Sequence, residues 1–145
     1  MYKRILLAYD GSESGQKALL DCKDIAHLTH SEPFLVAVRP PPAAFIGGES
    51  GIYDPAVEKE EEQQYKAILE DGLRRLSESG HAVRGELLDG DAVVEITAYA
   101  QKIEADLIVV GHKHRKGWAA RWWSGSVSKT LIEHSPCSVL VVITY

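Results

Sequence analysis

The residues best equipped for chemistry lie between Val109 and Leu131, in the stretch VVGHKHRKGWAARWWSGSVSKTL. It holds two histidines, five Lys/Arg and all three tryptophans of the chain, and no acid from His112 to Lys129. Gly125-Ser126-Val127 falls where a helical pattern begins. The first amides of a helix have no partner inside it and carry the positive end of its dipole, so an anion is their natural guest. Gly125 would let phosphate oxygens approach the backbone, Ser126 would add a hydroxyl donor, and Gly111 would permit a sharp exit from the preceding strand. Taken alone, the same residues suit ordinary capping by Ser124 better, with Gly111 serving only the turn.

Other chemistries find less support. Lys129 follows a serine and Gly111 is followed by His-Lys-His, so neither a Walker A pattern nor G-x-G-x-x-G occurs. His112 and His114 form an H-x-H that would clamp a metal only with a third ligand, and His134 belongs to the far end of the last helix. No Ser-His-Asp or Cys-His arrangement emerges from motif spacing. Trp118, Trp122 and Trp123 beside Arg115, Lys116 and Arg121 could stack bases. The net charge of −5 opposes nucleic acid and anionic membranes alike, so a shielding or interface role fits these rings better.

These residues need a scaffold, and the hydrophobic pattern supplies one. Lys3–Tyr9 (KRILLAY) reads as a buried strand ended by Asp-Gly. Ser12 or Ser14 caps a helix whose Ala18, Cys22, Ile25 and Ala26 share a face through His27. Phe34–Val38 is a second strand, stopped by three prolines, and residues 40 to 55 form a long loop. Ala56–Ser79 carries Tyr65, Ile68, Leu69, Leu73 and Leu76 at helical spacing; Gly72 weakens this helix without breaking it, and Gly80 ends it. Ala82–Leu88 is a third strand. After Asp89-Gly90-Asp91, a helix presents Val93, Ile96, Ala100 and Ile103. Leu107–Val110 is a fourth strand, the last helix runs from Ser124 or Gly125 to His134, and Val139–Ile143 is a fifth strand.

Strands that are continuous Val/Ile/Leu runs, alternating with helices, indicate a parallel sheet covered on both faces. The chain therefore reads as an α/β protein: a doubly wound five-stranded parallel sheet of order 3-2-1-4-5, forming a single domain over residues 1–145. In that order Asp10 and Gly111 sit at neighbouring carboxyl ends, where such sheets bind ligands. The apolar last strand at a sheet edge calls for pairing across a two-fold axis. No apolar run nears the roughly 20 residues of a membrane helix. MYKRILLAYDGSE reads as a strand rather than a signal peptide, and Cys22 and Cys137 suit reduced thiols, so the expected location is the cytoplasm. Between Asp54 and Asp71 there are seven acids and two lysines, and the acidic stretch Glu58–Glu62 reads as the solvated first turn of the second helix.

Three segments, RILLAYDGSESGQKAL, GDAVVEITAYAQKIEADLIVVG and GSVSKTLIEHSPCSVLVV, resemble the universal stress protein family in order and spacing. The resemblance spans nearly the whole chain. It implies a Rossmann-like sheet of the adenine nucleotide alpha hydrolase kind with strand order 3-2-1-4-5, a homodimer through the last strand, and in one subgroup ATP in the crevice. That subgroup carries G-x2-G-x9-G-[ST]. Gly111 matches its first glycine and Gly125-Ser126 its final pair, whereas His114 stands at the second glycine and the spacing is one residue longer. The site residues implied are Ala8, Asp10, Val38, Gly111, His114, Arg115, Gly125, Ser126 and Val127. Asp10 would lie near the ribose or phosphates, and Val38 would offer backbone to the adenine. Lys113, Arg115 or Lys116 would close over a triphosphate, with Mg²⁺ optional. The reading that follows is an ATP- or other adenine-nucleotide-binding stress-response protein, a sensor or scaffold more than a catalyst. Slow ATP hydrolysis or self-phosphorylation would have Asp10 as its one candidate base. The alternative is a family member without nucleotide that works as a dimeric interaction module.

Overall fold

The computed structural model describes residues 1–41, 54–78, 80, 82–113 and 125–145, with 125–128 by backbone alone. Its elements run β1 (Arg4–Ala8), α1 (Glu13–Thr29), β2 (Glu32–Arg39), α2 (Pro55–Ser77), β3 (Arg84–Asp89), α3 (Ala92–Lys102), β4 (Leu107–Lys113), α4 (Gly125–His134) and β5 (Ser138–Thr144). All pairings are parallel and the sheet order is β3-β2-β1-β4-β5, as the sequence leads one to expect.

Period-two alternation along the strands sends side chains to two separate cores. Ile5, Leu7 and Tyr9 pack with Leu35 and Val109 under α1 (Ala18, Leu19, Cys22, Ala26) and α2 (Leu76). Leu6, Ala8, Val36, Val38, Ile108 and Val110 pack under α3 (Ile96, Tyr99, Ala100) and α4 (Leu131). Both faces are thus covered, which is why the central strands tolerate no polar alternation.

Local chemistry sets the helix starts. Ser12 caps α1, its Oγ accepting from the Gly15 amide at 3.1 Å, while Ser14 is buried within the first turn. Asp54 and Asp91 cap α2 and α3 through the Ala56 and Val94 amides. Cys22 is buried, which pushes its thiol up to about 12, and Cys137 is half-buried; both are free.

Several expected bounds shift: β2 begins two residues before Phe34, at Glu32, where pairing with Arg4 starts. β3 begins two residues later than Ala82, at Arg84, where pairing with Phe34 starts. β4 does not stop at Val110: it continues through Gly111 to Lys113, because β5 keeps pairing with it as far as Thr144. The tryptophans lie outside the described residues.

Gly72 has a packing role. A Cβ there would stand 2.7 Å from the Tyr9 ring and 2.8 Å from Leu35 Cδ1, so the missing side chain is the space the Tyr9 ring fills. In an exposed helix Gly→Ala stabilises by about 1 kcal/mol. Here the sign reverses: contacts this close to a buried ring cost about 2–3 kcal/mol, the upper part of the overpacking range, and Gly72→Ala should lose roughly 1–2 kcal/mol net. Urea unfolding checks this, and an unchanged or raised midpoint would refute the packing role.

Candidate functional site

At the carboxyl edge of the sheet, β1 ends in Ala8 and the chain continues through Tyr9 and Asp10 into α1. The Tyr9 amide extends the ladder by donating to Val36 O at 2.9 Å, so Asp10 follows directly on ordered sheet. Asp10 Oδ1 accepts from the Ser12 amide at 3.0 Å and from the Ser12 hydroxyl at 2.5 Å. Ser12 Oγ lies 3.1 Å from Ser14 Oγ. Both of these bonds to Asp10 fall on Oδ1.

β4 lies beside β1 in the register Ala8↔Val110, which brings Gly111 level with Tyr9. A Cβ on Gly111 would fall 2.3 Å from Ser14 O, 2.4 Å from Ser14 C and 2.7 Å from Gly15 N. Gly111 is therefore a mid-strand residue whose bare Cα admits the first turn of α1. It does not provide the sharp strand exit that its place before His-Lys-His suggests.

On the other side of β1, Ala8 pairs with Val36, and Val38 lies two residues further along β2 in register with Leu88. Ala8 and Val38 point into the core, with 2% and 0% exposure, so what they offer at this edge is backbone. Beyond Val38, Arg39 Nε reaches Asp89 Oδ1 at 2.6 Å and ties the tips of β2 and β3 together.

α4 connects the parallel neighbours β4 and β5, so it runs back from the carboxyl edge, and Gly125, Ser126 and Val127 open it. Leu131, fully buried against the sheet, holds the helix in place. His114 and Arg115 lie outside the described residues. The sheet thus gathers Ala8, Asp10, Val38 and Gly111 along one edge, with Lys113 ending β4 there. His134 is at the opposite end of α4, its Nδ1 2.9 Å from Thr130 O, away from His112. Among the described residues no group of three or more His, Cys, Asp or Glu could hold a metal, and no helix is long and apolar enough to cross a membrane.

Sequence reasoning missed the contact of Ser14 and Gly15 with Gly111 and the bond from Tyr9 Oη to Asp71 Oδ2, 3.1 Å long. Asp71 is 62 residues from Tyr9 along the chain, and no local pattern links them. Burial first, and the Asp71 hydrogen bond second, push the Tyr9 phenol up to about 12. Arg74 foremost, with Arg75 and Tyr9, holds the Asp71 carboxyl below the usual aspartate range.

Comparison with known proteins agrees with this architecture. The model of the universal stress protein family matches residues 1–142. A universal stress protein of Methanocaldococcus jannaschii is 30% identical over 144 residues, covering 98% of this chain and 82% of the relative. A universal stress protein crystallised in complex with cAMP superimposes with a TM-score of 0.70 at 24% identity, covering 99% of each chain. A universal stress protein of Archaeoglobus fulgidus in complex with dAMP superimposes with a TM-score of 0.70 at 19% identity, covering 97% of this chain and 98% of the other. The chain belongs to the universal stress protein family.

Proposed function

We propose that this protein binds an adenine nucleotide, ATP foremost, at the carboxyl edge between β1 and β4, and acts in stress response as a sensor or scaffold. The observation that carries the reading is that Asp10, just past the end of β1, and Gly111 in the neighbouring β4 come to the same carboxyl edge from which α4 departs. A carboxylate repels phosphate and accepts from hydroxyls, so Asp10, with Oδ1 already engaged by Ser12, suits the ribose. The amides of Gly125, Ser126 and Val127, which have no acceptor within the helix, suit the phosphates, with Lys113, Arg115 or Lys116 supplying positive charge and His114 a hydrogen bond. Val38 backbone is the candidate neighbour of the base. The relatives crystallised with cAMP and dAMP favour the adenine class. Mg²⁺ would offset the charge of a triphosphate, and Asp10 is the carboxylate of this edge that would be available to hold it. Mass spectrometry of small molecules released from the purified protein tests the proposal. Absence of nucleotide, together with no thermal shift on adding ATP, overturns it.

A second reading, a dimeric interaction module without nucleotide, draws on Gly111. Its bare Cα is already required by α1, so its presence does not by itself demand a ligand. Both readings include a cytoplasmic homodimer. β5 is an edge strand whose Ile143 is 48% exposed, followed by Tyr145 at 92%, and pairing β5 with a second copy would cover it. Ile143→Lys should move the protein from dimer to monomer in sedimentation velocity at micromolar concentration. A monomeric wild type removes the dimer.

A further inference from the structure

The residues on either side of Asp10 are joined into one polar circuit through α2. Tyr9, fully buried, donates from Oη to Asp71 Oδ2 at 3.1 Å. Asp71 accepts from Arg74 Nη2 at 2.8 Å and from Arg75 Nε, which lies 3.2 Å from Oδ1 and 3.0 Å from Oδ2. Arg75 Nη1 continues to Gln16 Oε1 at 3.4 Å, and Gln16 Nε2 donates to Gly11 O at 3.2 Å. The circuit therefore leaves Tyr9 and returns at Gly11, with Asp10 between them.

Asp10 stands where the ladder of β1 gives out, and Gly11 beside it has φ +78°, so nothing in regular secondary structure fixes the direction of its carboxylate. The circuit restrains the backbone on both sides. The Tyr9 phenol stays protonated and Asp71 stays ionised near neutral pH, so donor and acceptor keep their roles. Arg74 and Arg75 face Asp71 from α2 itself, Tyr9 faces it from just beyond β1, and Gln16 extends the chain from α1.

We propose that Asp71 and Arg75 on α2 are positioning residues for the Asp10 carboxylate, acting through Tyr9 on one side and through Gln16 and Gly11 on the other. That the positioned carboxylate serves a ligand rests on the nucleotide reading above; the positioning itself does not. The link would make the angle of α2 against the sheet felt at the ribose position.

The test has two arms. In the protein without ligand, amide hydrogen exchange is followed at Ser12 and Gly15, whose N–H groups bond Asp10 Oδ1 and Ser12 Oγ. Asp71→Asn should accelerate both, while the Ile96 and Ala100 amides in α3, on the opposite face, keep their rates. In the second arm ATP is titrated calorimetrically into wild type, Asp71→Asn, Asp10→Asn and the double variant. Asp71→Asn should weaken ATP about tenfold, the scale of one charged hydrogen bond, and add nothing further in the Asp10→Asn background, since residues acting through one group are not additive. Tyr9→Phe serves in both arms should Asp71→Asn fail to fold. Unchanged exchange at Ser12 and Gly15, or losses that multiply in the double variant, overturns the proposal. A wild type that binds no ATP overturns the nucleotide reading, and the exchange arm then decides the positioning by itself.

Discussion

Gly111→Ala lowers the unfolding free energy by about 3 kcal/mol without any ligand present. The added Cβ would fall 2.3 Å from Ser14 O and 2.7 Å from Gly15 N, both backbone atoms of the first turn of α1. Neither side can yield by rotating a side chain. β4 is pinned between β1 and β5, and α1 is held by the Ser12 cap and by Ala18, Leu19, Cys22 and Ala26 in the core. Removing the clash requires the helix to lift from the sheet, which loosens those contacts as well. Overpacking of well-packed interiors costs about 1–3 kcal/mol, and a backbone–backbone clash belongs at or beyond the top of that range. The entropy that alanine removes from the unfolded chain returns only about 0.4–1 kcal/mol. For a domain of this size a loss of that order lowers Tm by roughly 6–12 °C. Calorimetry and urea unfolding measure it directly. A variant as stable as wild type would mean that Gly111 is there for a ligand alone.

Gly125→Val separates ligand from fold. In wild type, ATP at a hundred times its Kd stabilises the native state by about 2.7 kcal/mol. The variant should lose that gain, because a branched side chain at the first residue of α4 stands over the amides proposed to hold the phosphates. Stability without nucleotide should stay within about 1 kcal/mol of wild type, the range of intrinsic helix propensities. The measurement is Tm with and without ATP for both proteins. An undiminished ATP shift in Gly125→Val would remove the cradle at α4 from the nucleotide site. Gly111→Ala and Gly125→Val thus give opposite patterns: the first shows its loss without ligand, the second only with it.

The fold class is legible in the hydrophobic pattern alone. Runs such as LIVV at Leu107–Val110 and FLVAV at Phe34–Val38 lack polar alternation because both faces of the sheet are covered, and that pattern is what specifies parallel strands between helices. Asp10 and the start of α4 at Gly125 were legible as well, since an Asp-Gly after an apolar run and a Gly-Ser before a helical stripe are local signals. Tertiary structure decided the meaning of the glycines and of Tyr9. Gly111 looked like a turn residue because it precedes a polar loop, yet β5 prolongs the ladder past it and α1 claims its missing Cβ. Gly72 looked like a weak point in a helix until the Tyr9 ring was seen to occupy its place. The bond from Tyr9 to Asp71 joins residues far apart in the chain. Periodicity along a chain reports which face of an element is buried; it carries no record of which distant atom lies against that face, and at Gly111, Gly72 and Tyr9 the distant atom is what matters.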